Sequence, residues 1–246
     1  MSSSATTSYH TPALEKGLDI LEYLALEGVP MTQAQLARAL GRGASELFRM
    51  LMCLEQRGYL VRDQASGAFS LTLRLYELSR VHTPHDLLLR AAVGPMRTLT
   101  ETLRESCHLS VLYRERLLVL AQEQSPTPLR LSVEIGSSFV PHQTASGRLL
   151  LAYQSDHEPR EIQQPAEIAS RLATIRTQGY EVAFGETIAG VNDLAVLVGT
   201  PTSAVKAALT IASFAYRRET FVDAILPALQ QAALAIGQAA GMIVNA

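Results

Sequence analysis

Two short amphipathic segments separated by Gly41-Arg42-Gly43 restrict the fold of the N-terminal third more than any other feature. Thr32 is a good N-cap for the first segment, and Gly41 can supply the left-handed residue that ends it. The second segment starts near Ala44 and has apolar residues at i, i+3, i+4 and i+7. These are Leu47, Met50, Leu51 and Leu54. The pattern predicts two helices joined by a tight turn.

A helix before this pair and a hairpin after it complete a recognisable motif. Apolar residues recur at helical spacing from Leu14 to Ala25, and we expect this helix to end at Gly28. After Gly58 come two short strands, 59–62 and 68–71, on either side of a polar turn. Three helices followed by a hairpin predict a winged helix-turn-helix. The alternative is a small helical subdomain with a hairpin that has no role in DNA binding.

The third helix has one face to bury and one face that is free to enter a major groove. We expect the free face to present Ser45, Glu46, Phe48 and Arg49 to base edges. Phe48 is either a core residue or an apolar contact to a thymine methyl, and Glu46 can accept from a cytosine amino group. Contacts to the DNA backbone are predicted for Thr32, Gln33, Arg42, Arg49 and Arg62.

Charge along the chain agrees with a local DNA-binding surface. The net charge is −2, so the whole chain does not attract nucleic acid. From Thr32 to Arg62, however, there are five arginines against two acidic residues. The first 11 residues are polar and resemble a mobile tail rather than a signal peptide. No apolar run is long enough to span a membrane, so we expect a cytoplasmic protein.

The second half alternates between strand and helix patterns. A helix is predicted from Pro84 to Arg104. Strands are predicted over 107–113, 117–123, 129–135, 189–198 and 205–214, and helices over 145–153, 167–178 and 221–242. Strands grouped at both ends of this region, with helices between them, predict an antiparallel α+β domain.

Catalysis has no candidate set of residues. Ser146 and His142 have no third member and no nucleophile elbow. Cys107 and His108 are adjacent on a predicted strand, so their side chains point to opposite faces. Pro84 disrupts the helical spacing that His82 and His85 would need to bind one metal ion. We therefore predict neither an enzyme nor a bound metal or other cofactor, and both cysteines are interpreted as packing residues.

Several segments together resemble the IclR family of bacterial transcriptional regulators. The N-terminal segments are ALEKGLDILEYLALEG, TQAQLARALGRGASELFRMLMCLEQRGYLVRD and SGAFSLTLRLYEL; the C-terminal ones are PLRLSVEIGSSFVPHQTASGRLLLAY and GVNDLAVLVGTPTSAVKAALTIASF. The resemblance implies a tail (1–11), a winged helix (12–80), a linker helix (81–104) and a GAF-like effector domain (105–246). It also implies operator DNA, a small-molecule effector and a homodimer or homotetramer.

The same resemblance implies where an effector binds. Its pocket would be formed by Leu129, Leu131, Ala145, Ser146, Ala183, Asp193, Thr210 and Ala212. The sequence departs from the family, which commonly has a cysteine where Asp193 stands and serines where Thr210 and Ala212 stand. Ligand preferences of other members are therefore a poor guide to this one.

The mostly apolar lining predicts a small ring or short acyl body with one polar end. We expect an aromatic acid whose carboxylate contacts Ser146, Thr210 or an arginine (Arg130 or Arg148), with Asp193 turned away or held by a neighbour. For an amine, amide or phenol, Asp193 would instead be the acceptor. The expected function is ligand-responsive control of a catabolic operon; the alternative is a ligand sensor whose winged helix contacts other proteins.

Overall fold

The chain forms two compact units, 1–82 and 83–246, each with its own core. The computed structural model describes residues 10–80, 83–154, 168–214 and 218–243. The predicted tail, apart from residues 10 and 11, and His82 lie outside these residues. The helix predicted from residue 167 begins, in the described part, at Ala169.

The first unit is a winged helix, as predicted. Its helices are α1 (Pro12–Glu27), α2 (Gln33–Ala39), α3 (Ala44–Gln56) and α4 (Arg74–Arg80), and its strands are β1 (Met31–Thr32), β2 (Leu60–Arg62) and β3 (Ala68–Leu71). The strands form an antiparallel sheet in the order β1-β3-β2. Helix α4 and strand β1 were not predicted.

Local sequence determines the break between α2 and α3. The Thr32 side chain accepts from the backbone N–H of Gln35, whose own side chain accepts from the Thr32 backbone N–H, which forms a capping box. Gly41 has a φ of 62°, a left-handed conformation that glycine adopts at little cost. Leu36, Leu47 and Leu51 are fully buried against Ile20 of α1, so the core fixes the orientation of α3.

The second unit is the predicted α+β domain. Its strands are β4 (Ser106–Tyr113), β5 (Arg116–Glu123), β6 (Ser138–Phe139), β7 (Tyr180–Phe184), β8 (Asn192–Val198) and β9 (Ala207–Ser213). Its helices are α5 (Thr83–Leu103), α6 (Ala145–Ala152), α7 (Ala169–Gln178) and α8 (Arg218–Ala239). The strands form one antiparallel sheet in the order β6-β5-β4-β9-β8-β7.

Helices cover both faces of this sheet. Leu109, Leu194 and Leu209 pack with α5 and α8 on one face. Ala195 and Ala208, from the alternate positions of β8 and β9, pack with α6 and α7 on the other. Among the described residues, α8 is the one helix long and apolar enough to cross a membrane, and its residues Phe221, Ile225 and Leu229 are buried in this core.

One predicted strand is wrong. Residues 129–135 form no strand, although their apolar residues alternate, and Leu129 and Ile135 are exposed. Residues 136–139, which come after this segment, occupy the free edge of β5 instead. Leu117 pairs with Phe139, and the Val119 backbone forms hydrogen bonds with Gly136 and Ser137. Strand β7, at the other end of the sheet, was not predicted.

Candidate DNA-binding surface and effector cavity

Helix α3 presents the face that the sequence predicts for DNA. Ser45, Phe48 and Arg49 are exposed, while Leu47 and Leu51 are fully buried. Phe48 is 47% exposed, so it is not a core residue. This arrangement leaves a contiguous polar and aromatic surface near the N-terminal end of the helix, where recognition helices contact bases.

Glu46 has an intramolecular partner. Its carboxylate forms an ion pair with Lys16 of α1. The hydrogen bond from Lys16 is the largest contribution to lowering the pKa of Glu46. The pair connects the N-terminal end of α3 to α1, which gives Glu46 a positioning role that sequence reasoning missed.

Thr32 and Gln33 also make contacts inside the unit. The Thr32 side chain belongs to the capping box of α2. The Gln33 amide donates to the Ala44 carbonyl at 2.8 Å, across the turn between the two helices. Both residues therefore position the start of the helix pair, and their predicted contacts to DNA remain predictions.

The two remaining arginines of the predicted surface are exposed. Arg42 lies 3.5 Å from Asp19, a surface pair of low expected strength. The Arg62 guanidinium stacks over the Phe69 ring at 5.5 Å from its centroid, which supports the side chain on the wing. Because the side chains of Arg42 and Arg62 are exposed, each can contact a phosphate without leaving a buried position.

The interpretation of both cysteines as packing residues is wrong for Cys53. Cys107 is buried, whereas Cys53 is exposed. Cys53 follows Arg49 by four positions, which places the two on the same face of α3.

The second unit contains a cavity between the sheet and the start of α6. The cavity has a volume of about 100 Å³ and opens to solvent. Its lining residues are His108, Leu117, Val119, Leu131, Ser132, Val133, Phe139, Thr144, Ala145, Ser146, Thr187, Ile188, Val191, Asp193, Thr210 and Ala212. A mainly apolar lining with a few polar groups is typical of a small-molecule site.

Six of the eight predicted effector residues line this cavity: Leu131, Ala145, Ser146, Asp193, Thr210 and Ala212. Leu129 does not; it is 73% exposed and lies by a separate hollow with Leu103 and Phe214. Ala183 is fully buried in the core between sheet and helices. Neither residue lines the cavity, because 129–135 is a loop and β7 is the edge strand beyond Asp193, and their contacts to an effector remain predictions.

Sequence reasoning missed His108, Phe139, Thr187 and Ile188. His108 could have been found, because Cys107 packs in the core on one face and strand alternation then directs His108 to the other. Phe139, Thr187 and Ile188 belong to short or irregular segments without a periodic signal.

Asp193 is 9% exposed and lines the cavity, so it is not turned away; of the two predicted positions, the one in which a neighbour holds it agrees with the hydrogen bond from Thr187. Burial raises the pKa of its carboxyl to about 6, although a hydrogen bond from Thr187 and the charge of Arg148 act in the opposite direction. The cavity wall therefore holds a carboxyl that changes charge near neutral pH.

Two further polar groups lie on the same side of the sheet. Thr210 pairs directly with His108 across β9 and β4. The Thr210 hydroxyl is buried and has no hydrogen-bond partner among the described residues. Burial lowers the pKa of His108 to about 4, so its ring is neutral at physiological pH and offers one donor and one acceptor.

The arginines predicted to pair with an effector carboxylate are not at the cavity surface. Arg130 is exposed and does not line the cavity. Arg148 is 3% exposed, and its guanidinium lies 2.6 Å from Glu181 and 3.0 Å from Glu186. Arg171 contacts the same two carboxylates at 2.7 and 2.9 Å. These four residues form a network that connects α6, α7, β7 and the segment after β7.

The start of α6 is the other polar part of the lining. Thr144 caps the helix by accepting from the Gly147 N–H at 3.1 Å, and Ser146 follows in the first turn. A Cβ at Gly147 would lie 2.1 Å from the Pro141 carbonyl, so only glycine permits this close approach to the preceding 3-10 helix. The positive end of the helix dipole favours an anion here.

A winged helix with an exposed recognition face, together with a second domain whose cavity has a mainly apolar lining, defines a class: DNA-binding regulators that respond to a small molecule. Two family models match the chain. Residues 13–64 match the IclR helix-turn-helix domain, and residues 81–238 match the C-terminal domain of bacterial transcriptional regulators of the IclR type.

Known regulators are similar along much of the chain. The regulator KdgR of Dickeya chrysanthemi is 29% identical over 191 residues, which cover 72% of this chain and 63% of that protein, less than two thirds of its length. XynR of Escherichia coli K12 is 27% identical over 248 residues, covering 93% of this chain and 97% of that protein. An IclR homologue of Microbacterium hydrocarbonoxydans, solved in complex with 4-hydroxybenzoate, superposes with a TM-score of 0.77 at 21% identity, covering 93% of this chain and 99% of that one.

The chain belongs to the IclR family of bacterial transcriptional regulators. It has a helix-turn-helix DNA-binding domain and an effector-binding C-terminal domain, and it is a transcription regulator rather than an enzyme.

Proposed function

We propose that this regulator controls a small-molecule catabolic operon in the cytoplasm and responds to a small aromatic acid. Residues 12–80 bind the operator, residues 81–104 link the two parts, and residues 105–246 bind the effector. The observation that supports this most strongly is the cavity at the start of α6, whose mainly apolar lining suits a ring and whose polar groups are few.

Two further observations support an aromatic acid. Leu117, Val119 and Phe139 offer an apolar surface for a ring. The first turn of α6, with the Ser146 hydroxyl, offers hydrogen-bond donors and a positive dipole end to a carboxylate. The IclR homologue of Microbacterium hydrocarbonoxydans, which was solved in complex with 4-hydroxybenzoate, also supports an aromatic acid.

On the DNA side, we propose that α3 enters the major groove. Arg49, Ser45 and Phe48 meet base edges or adjacent phosphates, and Arg42 and Arg62 contact the backbone. Glu46 acts mainly by holding α3 against α1 through Lys16. A homodimer would present two such helices to half-sites about one helical turn apart, or a multiple of that.

Ligand binding regulates DNA binding only if the effector binds one conformation of the dimer more tightly than another. The rival function, a sensor whose winged helix contacts other proteins, needs no DNA affinity at all. A mobility-shift titration with DNA from upstream of its own gene, against a scrambled fragment of equal length, separates the two. Preference for the upstream DNA supports the proposal, and equal weak binding of both fragments would contradict it.

A further inference from the structure

Three polar side chains lie close together on the cavity side of neighbouring strands. Thr210 on β9 is directly opposite His108 on β4 and opposite Ala195 on β8. Asp193 is two positions before Ala195, which makes it the diagonal neighbour of Thr210 on the same face. All three line the cavity.

The cavity offers acceptors here but no positive charge. No lysine or arginine belongs to the lining that the described residues form. Asp193 in its ionised form is an acceptor only, and the neutral His108 ring has one donor and one acceptor. A ligand carboxylate placed beside Asp193 would therefore meet a like charge in a poorly solvated site.

The Thr210 hydroxyl can bond to a polar group of a ligand in this part of the cavity. It is 1% exposed and has no hydrogen-bond partner among the described residues. Buried hydroxyls without a partner are rare because the desolvation is uncompensated. A ligand group that both donates and accepts would satisfy this hydroxyl and the Asp193 carboxylate together.

We propose that the effector carries a hydroxyl group that donates a hydrogen bond to Asp193 and accepts one from Thr210. These two residues therefore select hydroxylated ligands over their unsubstituted analogues. This rests on the proposed function, since it assigns one end of the same aromatic acid. The carboxylate of that acid lies away from Asp193, at the first turn of α6.

A hydroxyl fits this position better than an ammonium group does. An ammonium group donates but cannot accept, so it would leave the hydrogen of the Thr210 hydroxyl without an acceptor. A hydroxyl can accept from Thr210 while it donates to Asp193.

The binding of such a ligand has a defined pH dependence. The ligand hydroxyl donates more favourably to ionised Asp193, whose pKa in the free protein is about 6. The affinity for the hydroxylated ligand therefore rises as the pH increases from 5.5 to 7.5. The other groups facing Asp193 are Thr187, Arg148 and Glu186, and the nearby His108 has a pKa of about 4 and stays neutral throughout this range.

Calorimetric titration of the full-length protein tests the proposal with four probes: benzoate, meta- and para-hydroxybenzoate, and para-methoxybenzoate, which lacks the donor. At pH 7.5 we expect one of the hydroxybenzoates to bind at least about tenfold more tightly than benzoate or the methoxy compound. Asp193→Asn should remove most of this preference and its pH dependence, and Thr210→Val should reduce the preference. Glu134→Gln makes the same chemical change at an exposed site outside the cavity and should behave as wild type.

The outcomes separate this proposal from the function it rests on. Equal affinity for benzoate and both hydroxybenzoates, or a preference that survives in both variants, would overturn the assignment of Asp193 and Thr210 and leave the regulator of aromatic acids intact. Failure of all four acids to bind, in protein that still binds its upstream DNA, would overturn the aromatic-acid effector and this proposal with it. If a variant does not fold, the pH dependence in wild-type protein tests Asp193: a hydroxybenzoate preference that does not rise between pH 5.5 and 7.5 would overturn its assignment.

Discussion

Asp193 and Arg49 illustrate what can be predicted at the scale of single residues. Helical spacing alone placed Arg49 on the free face of α3, and it is exposed. The position of Asp193 in the cavity wall followed from the family resemblance, but its burial and raised pKa did not. These depend on the segment around Thr187 and on α6, which contact Asp193 only in the folded chain.

Arg49→Ala should weaken operator binding while leaving the fold intact, because the side chain is exposed and lies opposite the buried leucines of α3. A lost base contact costs roughly 1–3 kcal/mol and relaxes specificity at one position, while a lost phosphate contact weakens all sequences and flattens the salt dependence. Fluorescence anisotropy at several salt concentrations measures both. Arg57→Ala, which removes the same charge just after the C-terminal end of α3, is the matched control. Wild-type affinity in Arg49→Ala would refute the placement of this helix.

Asp193→Asn should stabilise the ligand-free protein above pH 6. The carboxyl has a pKa raised from 3.8 to about 6, so the folded state binds more protons than the unfolded state between these values, and wild-type stability falls as pH rises through that window. Above it, the ionised carboxylate costs on the order of 2–3 kcal/mol. Urea unfolding from pH 5 to pH 8 should show a difference between variant and wild type that grows with pH. A difference that is constant with pH would contradict the assigned pKa.

At the scale of secondary structure, regular periodicity was a good guide and irregular segments were not. Helices α2 and α3, strands β4 and β5 and the final pair of strands appear where capping residues and alternation predict them. The segment 129–135 shows the weakness of alternation, because a strand also needs an unpaired neighbouring edge. The pairing of Arg148 with Glu181 was invisible in the sequence, since 33 residues separate them.

Removing Glu181 from the network should destabilise the second unit. Glu181→Gln leaves the buried guanidinium of Arg148 with a weaker partner, and breaking a buried pair on one side costs on the order of 3–5 kcal/mol. Glu186→Gln is the comparison, because the Glu186 side chain is 37% exposed and its loss should cost less. Chemical denaturation measures both variants. Equal, small effects would show that the network contributes little to stability.

At the scale of the whole molecule, the order of the domains was predictable and the shape of the cavity was not. The winged helix and the α+β domain each follow from local patterns, and each has its own core. The cavity is formed by residues from five strands, one helix start and two irregular segments. Long-range packing of this kind leaves no periodic signal along the chain.

Residues 1–80 expressed alone should fold, because Ile20, Leu36, Leu47 and Phe69 form a core within them. The fragment should nevertheless bind the operator more weakly than the full-length chain, because a dimer gains from the effective concentration of its second half-site. Anisotropy titrations at matched salt compare the two. Equal affinities would show that the second domain does not organise DNA binding.

The central claim, that a ligand in the cavity changes DNA binding, is tested most directly by one titration of labelled upstream DNA with the full-length protein, with and without a saturating aromatic acid. The account predicts that the acid shifts the dissociation constant for DNA by about 5- to 150-fold, the usual range of allosteric coupling. An unchanged dissociation constant for DNA, with the acid shown by calorimetry to be bound, would contradict it.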